Sequence, residues 1–164
     1  YRLLRAHLDS ETPPPCLAVI QANDRPDSDL YIRRKFQALD RIEFQHQLHR
    51  IDQPNFTVLS ELIRKLNCDE AVHGIILQLP LPQHLANKTD KLIEGIAPQK
   101  DVDGLHPFNV VYQSCLTPCT PAAVLAILDY YGIKVAGRRV LVIGRSRIVG
   151  EPMARQLLNR DATV

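Results

Sequence analysis

The stretch SDLYIRRK (28–35) puts an aromatic ring and an amine four residues apart, at Tyr31 and Lys35. On a helix this spacing returns both side chains to one face, about 6 Å apart along the axis. The ring offers a platform for a flat ligand. A lysine beside an apolar ligand loses solvation, its pKa falls from about 10.4 toward neutrality, and it then exchanges protons. The other reading is a solvated helix face, which Arg33 and Arg34 favour. Gln78, at the end of the apolar run in IILQLPLP, is a second candidate. A buried amide there needs hydrogen-bond partners, and in open α/β sheets ligands bind beyond the carboxyl ends of strands. A structural glutamine is the alternative.

KDVDGLHP (100–107) supplies Asp101 and Asp103. It lacks the ladder of oxygens and the closing Glu of a calcium loop. An Asp turn ending in Gly is one reading; an acceptor for the N–H donors of a heterocycle is the other. GRSRIVG (144–150) follows an apolar run and opens a helical pattern. Free backbone N–H groups and the helix dipole suit a phosphate at such a place. It is not GxGxxG, since Ser146 replaces the central glycine; Arg145 and Ser146 suit the 2′-phosphate of NADP instead. His46, His49, His73 and His106 form no persuasive constellation, and no Ser-His-Asp or Cys-His order stands out. The four cysteines, Cys16, Cys68, Cys115 and Cys119, lack zinc spacing and read as reduced thiols.

The elements that must position these residues alternate between strand and helix. YRLLRAHLDS reads as an amphipathic helix ended by Pro13 to Pro15. CLAVIQ (16–21) is a buried strand and ANDRPDS (22–28) a loop. A helix follows over about Asp29 to Asp40, with Ser28 as its N-cap. IEFQHQL (42–48) alternates with period 2 and predicts a strand. Asn55 or Thr57 caps a helix whose apolar face is Leu59, Leu62, Ile63 and Leu66. AVHGIILQL (71–79) is a second buried strand, and LANKTDKLIEGI a weaker helix. Thr120-Pro121 opens a helix closed by Gly132. RVLVIG (139–144) predicts a third buried strand, followed by a helix through Met153, Leu157 and Leu158, and ATV begins a fourth.

This order predicts an α/β protein: a parallel-sheet, three-layer substrate domain over 1–118, then a linking helix and the start of a Rossmann-like dinucleotide-binding domain over 119–164. The 164 residues carry a net charge of +2, which gives no case for nucleic acid or an anionic membrane. No apolar run reaches bilayer length. No secretory or transit signal opens the chain, which lacks an initiator Met.

Together these residues resemble the methylenetetrahydrofolate dehydrogenase/methenyltetrahydrofolate cyclohydrolase family. S-x-x-Y-x-x-x-K at 28–35, HGIILQLPLP at 73–82, KDVDGLHPFN at 100–109 with PCTP at 118–121, and GRSRIVGEPMA at 144–154 carry the resemblance. It covers about Pro14 to Val164. It implies oxidation of 5,10-methylenetetrahydrofolate with NADP and hydrolysis of the methenyl product to 10-formyltetrahydrofolate, steps of one-carbon metabolism that feed purine biosynthesis. It assigns proton transfer to Lys35, ring stacking to Tyr31, positioning to Gln78, pterin binding to Asp103, further folate contacts to Leu77 and Leu79, and NADP contacts to Gly144, Arg145 and Ser146. Cys119 is expected near the cleft with no chemical step. A homodimer is implied, in the cytoplasm or the mitochondrial matrix. Truncation at both ends is also expected, because the rest of the cofactor domain and a late Pro-Gly-Gly-Val-Gly-Pro segment do not appear. A non-catalytic folate-binding remnant and a monofunctional NAD-dependent dehydrogenase are the alternatives.

Overall fold

A computed structural model describes residues 13–112 and 116–164. The expected opening helix and Cys115 lie outside the described residues. The chain divides into two units, the first ending at Val102 and the second opening at Asp103.

The first unit is built on three parallel strands in the order β2-β1-β3. They are β1 (Cys16–Gln21), β2 (Gln45–Arg50) and β3 (Gly74–Gln78). In β1, Ala18, Val19 and Ile20 are all fully buried. Successive side chains of a strand point to opposite faces, so both faces of β1 are covered. The helix α1 (Pro26–Asp40) follows β1, and α2 (Phe56–Cys68) follows β2. On one face of the sheet, Val19 and Ile76 pack with Ile32 of α1, flanked by Leu17, Phe36 and Val102. Leu59, Ile63 and Leu66 of α2 are buried, as the 3.6-residue period requires. Asn55 caps α2 by accepting from the Val58 N–H. Lys100 donates to the carbonyls of Leu66 (3.0 Å) and Asp69 (2.7 Å), which satisfies the far end of α2. A 3₁₀ turn (Gln83–Lys88) and α3 (Thr89–Glu94) complete the unit with a second 3₁₀ turn (Pro98–Lys100).

Several boundaries differ from the sequence reading. The first helix starts at Pro26, so Ser28 is buried inside it and caps nothing. Proline's fixed φ suits a first helical turn, and the helix therefore begins before the residue that resembles a cap. The strand expected at 42–48 lies at Gln45–Arg50, because Glu43 adopts φ 61° and pairing starts only where Cys16 meets Gln45. The strand expected over 71–79 is trimmed to Gly74–Gln78. The weaker helix is split into the 3₁₀ turn and α3.

In the second unit the helices are α4 (Pro107–Tyr112), α5 (Cys119–Tyr130) and α6 (Gly150–Leu158). The N-cap of α5 is Pro118, without a side-chain bond, so Thr120 lies within the helix rather than capping it. Leu125, Met153, Leu157 and Ala162 form its core, with Leu128, Val135, Val140 and Val142 against them. The strand expected at 139–144 is reduced to one parallel bridge, Arg139 to Thr163. A strand is defined by its neighbours, and the described residues give this segment no more pairing than that.

Candidate active site

The order β2-β1-β3 puts the first strand in the centre, so the chain leaves β1 for one side and later returns on the other. Such a switch point opens a crevice beyond the carboxyl ends of β1 and β3, where open α/β sheets bind ligands. Gln21 and Gln78 end those two strands and face each other in register. Both share the parity of Val19 and Ile76, and therefore the face that α1 covers.

Lys35, on α1, sits half-buried over this end of the sheet. Its Nζ donates to Gln78 Oε1 at 3.3 Å. The Gln78 Nε2 donates to the Leu79 carbonyl at 2.9 Å. A carbonyl only accepts, so the NH2 group must face Leu79 and the amide oxygen must face the ammonium. Tyr31 lies one helical turn before Lys35 and is 58% exposed, open to a flat partner. Lys35, Gln78 and the Leu79 backbone are thus brought together. Leu77 is not: it is 4% exposed and, by strand alternation, its side chain belongs to the opposite face of the sheet from Gln78.

A polar chain behind the site went unread in the sequence. Gln21 Nε2 donates to Asp29 Oδ1 (2.7 Å) and to the Asn23 carbonyl (3.1 Å). Arg50 also donates to Asp29 Oδ1, at 2.8 Å. The Gln21 hydrogen bond, with the Arg50 charge in support, holds the Asp29 carboxyl below its ordinary value. Asn23 Nδ2 reaches the Pro80 carbonyl at 2.8 Å. The available signal was a glutamine closing a buried strand just before Asn-Asp, a polar end on an apolar run. Cys16, by contrast, offers no nucleophile: burial pushes its thiol up, and Asp69 adds to the effect.

Asp103 belongs to the second unit. Its turn is tight: Gly104 has φ 66°, and a Cβ there would lie 2.6 Å from the Leu116 carbonyl oxygen. Cys119 Sγ lies 4.0 Å from Asp103 Oδ1, as a weak thiol donor would. Gly144, Arg145 and Ser146 are exposed at the turn before α6, and Gly144 and Arg145 help line a cavity of about 410 Å³ with Gly150, Glu151, Ala154 and Val164. The expectation of free N–H groups there needs correction. Ser146 Oγ accepts from Gly150 N, and the Ser146 carbonyl accepts from Glu151 N at 3.0 Å. Pro152 has no N–H to offer. Arg145 is exposed beside this cavity, whose other lining is mostly apolar and includes the Glu151 carboxylate; the helix N-terminus contributes less than its position suggests.

A family model described as the tetrahydrofolate dehydrogenase/cyclohydrolase catalytic domain matches residues 3–103. The NAD(P)-binding domain model of the same enzymes matches residues 118–164. The chain belongs to the tetrahydrofolate dehydrogenase/cyclohydrolase family. A bifunctional protein FolD from Methanosarcina barkeri is 42% identical over 155 residues, covering 92% of this chain and 53% of the relative. The crystal structure of a bifunctional FolD from Campylobacter jejuni matches at TM-score 0.83 and 41% identity, covering 91% of this chain and 54% of that one. The Trypanosoma brucei dehydrogenase-cyclohydrolase, solved with NADP cofactor and inhibitor, matches at TM-score 0.87 and 34% identity, covering 99% of this chain and 56% of that one. The chain spans about half the length of the curated relatives it matches.

Proposed function

We propose that the protein carrying this chain oxidises 5,10-methylenetetrahydrofolate with NADP and hydrolyses the methenyl product to 10-formyltetrahydrofolate. The observation that carries this reading is the Lys35 ammonium held against Gln78 Oε1 at the carboxyl end of the sheet, one turn from the exposed Tyr31 ring. Relatives of this family named as bifunctional FolD support both activities.

The folate would lie flat on Tyr31, its reacting carbon near Lys35. In the hydrolysis, water adds to the methenyl carbon, forming a C–O bond and releasing one proton. The hydroxyl proton of that adduct then passes to N5 as the C–N5 bond breaks, leaving the formyl group on N10. Lys35 would carry these protons, while Gln78 fixes the direction of its ammonium. Asp103 would accept hydrogen bonds from the pterin. NADP, when bound, supplies the acceptor for the hydride that leaves the methylene carbon. Arg145 would meet its phosphate and Ser146 would hold the turn, with Gly144 leaving room for the approach.

Residues 1–118 would form the folate half and 119–164 would open the cofactor half. Two copies would associate as a homodimer, and sedimentation at micromolar concentration reads that directly. The cytoplasm is the proposed compartment, with the mitochondrial matrix as the other reducing possibility; the described cysteines Cys16, Cys68 and Cys119 are in no disulfide. Among the described residues no helix is long and apolar enough to cross a membrane.

Loss of methenyl absorbance measures the second step. Lys35→Ala should slow it by about 10²- to 10⁴-fold, the usual weight of a proton-transfer group, with the fold retained by circular dichroism. Unchanged hydrolysis in a folded variant would overturn the reading. Rates of the first step with NADP and with NAD settle the cofactor.

A further inference from the structure

Gln78 orients Lys35 only if its own amide is held, and among the described residues its NH2 is anchored on one carbonyl, that of Leu79. The next carbonyl along the chain, that of Pro80, is gripped by Asn23 Nδ2 at 2.8 Å, across the crevice between β1 and β3. From these contacts we infer that Asn23 is a positioning residue for the proton-transfer site, acting through the Leu79-Pro80 segment on Gln78 and thence on Lys35. The inference rests on the proposed hydrolysis for its kinetic arm only.

Asn23 is itself held from two directions. Its backbone carbonyl accepts from Gln21 Nε2, and its Oδ1 accepts from the Arg25 N–H at 3.1 Å, just ahead of α1. Gln21 is 2% exposed and tied to Asp29, which Arg50 also holds. A continuous run of contacts therefore links β2, α1 and β1 to the loop after β3. Both partners of the Lys35–Gln78 bond ride on this frame: Lys35 on α1, whose start Asn23 braces, and Gln78 at the head of the loop it grips. Removing the grip releases the Pro80 carbonyl and loosens the loop that carries the Leu79 carbonyl. The Gln78 amide then loses the anchor that decides which of its ends faces the ammonium.

Asn23→Asp isolates the bond. The carboxylate is the same size and still accepts from Arg25, but it cannot donate to Pro80. Gln78 side-chain amide resonances in the 15N-labelled intact protein should move, with thermal unfolding within a few degrees of wild type. Methenyl hydrolysis should lose about tenfold in kcat, with KM changed less than about twofold. A merely structural role would lower stability and leave the kcat of the folded fraction alone. Asn23→Ser, too short to reach Pro80 yet still able to cap Arg25, should move the same resonances, and it carries the test if the aspartate variant fails to fold. Gln78 resonances that stay in place in a folded variant overturn the inference, as does an unchanged kcat. Wild-type protein without any hydrolysis would sink the proposed function instead, and the amide shift would still decide the role of Asn23.

Discussion

Two amides at one end of a sheet, Gln21 and Gln78, have opposite duties in the same crevice. Gln78 spends its carbonyl on Lys35, and Gln21 spends its NH2 on Asp29 and the Asn23 carbonyl. Acid should unpick the frame around them. Asp27, bound at both oxygens by Arg25, is lowered to about 2 chiefly by that hydrogen bond. Asp29 is lowered in the same direction. A carboxyl whose folded pKa is depressed stabilises the fold fully above its unfolded value, about 3.9, and loses that contribution as pH falls through the folded value. Melting temperature should therefore drop between about pH 4 and pH 2, and Asp27→Asn should make the drop shallower. Both groups meet solvent, so the component should be small and should shrink further in salt. An Asp27→Asn protein with an unaltered acid slope would contradict the assignment.

At the scale of elements, the glycine that opens α6 decides whether the GRSRIVG turn exists. A Cβ on Gly150 would lie 2.3 Å from the Gly144 carbonyl oxygen and 2.9 Å from Arg145 N, both backbone atoms that cannot step aside. Gly150→Ala should therefore disrupt the turn; under the proposed function it should weaken NADP binding at least tenfold and leave hydrolysis of the methenyl compound near wild type. Titration with NADP beside the absorbance assay checks this. The strands were legible because CLAVIQ and GIILQ are apolar runs of strand length, and α2 because its apolar face and Asn55 cap agree. Helix starts at Pro26 and Cys119 were not, since Ser28 and Thr120 have the chemistry of caps but stand inside the first turn. For the candidate site, type and spacing left Tyr31, Lys35 and Gln78 open between a solvated or structural role and a ligand-binding one, and only the family resemblance singled them out. The Asn23 grip was not legible, because a contact between residues 57 apart leaves no periodic trace.

For the molecule as a whole, the uneven pairing of the two units matters most. The first has every strand of its sheet in register, whereas the segment at 139–144 leaves Leu141 83% and Ile143 93% exposed. Apolar surface of that kind marks an interface or an aggregation hazard. In the 164-residue chain, Leu141→Lys with Ile143→Lys should reduce binding of a hydrophobic dye and self-association, leaving unfolding of the first unit unchanged. Undiminished dye binding would place the apolar surface elsewhere. The first unit carries a different liability, fixed by its strand order. Leu17 pairs with Gly74 on one side and with His46 on the other. A ribosome releases β1 first, yet its second neighbour emerges nearly sixty residues later, so a nascent chain must shelter a half-paired, largely apolar ribbon until β3 arrives.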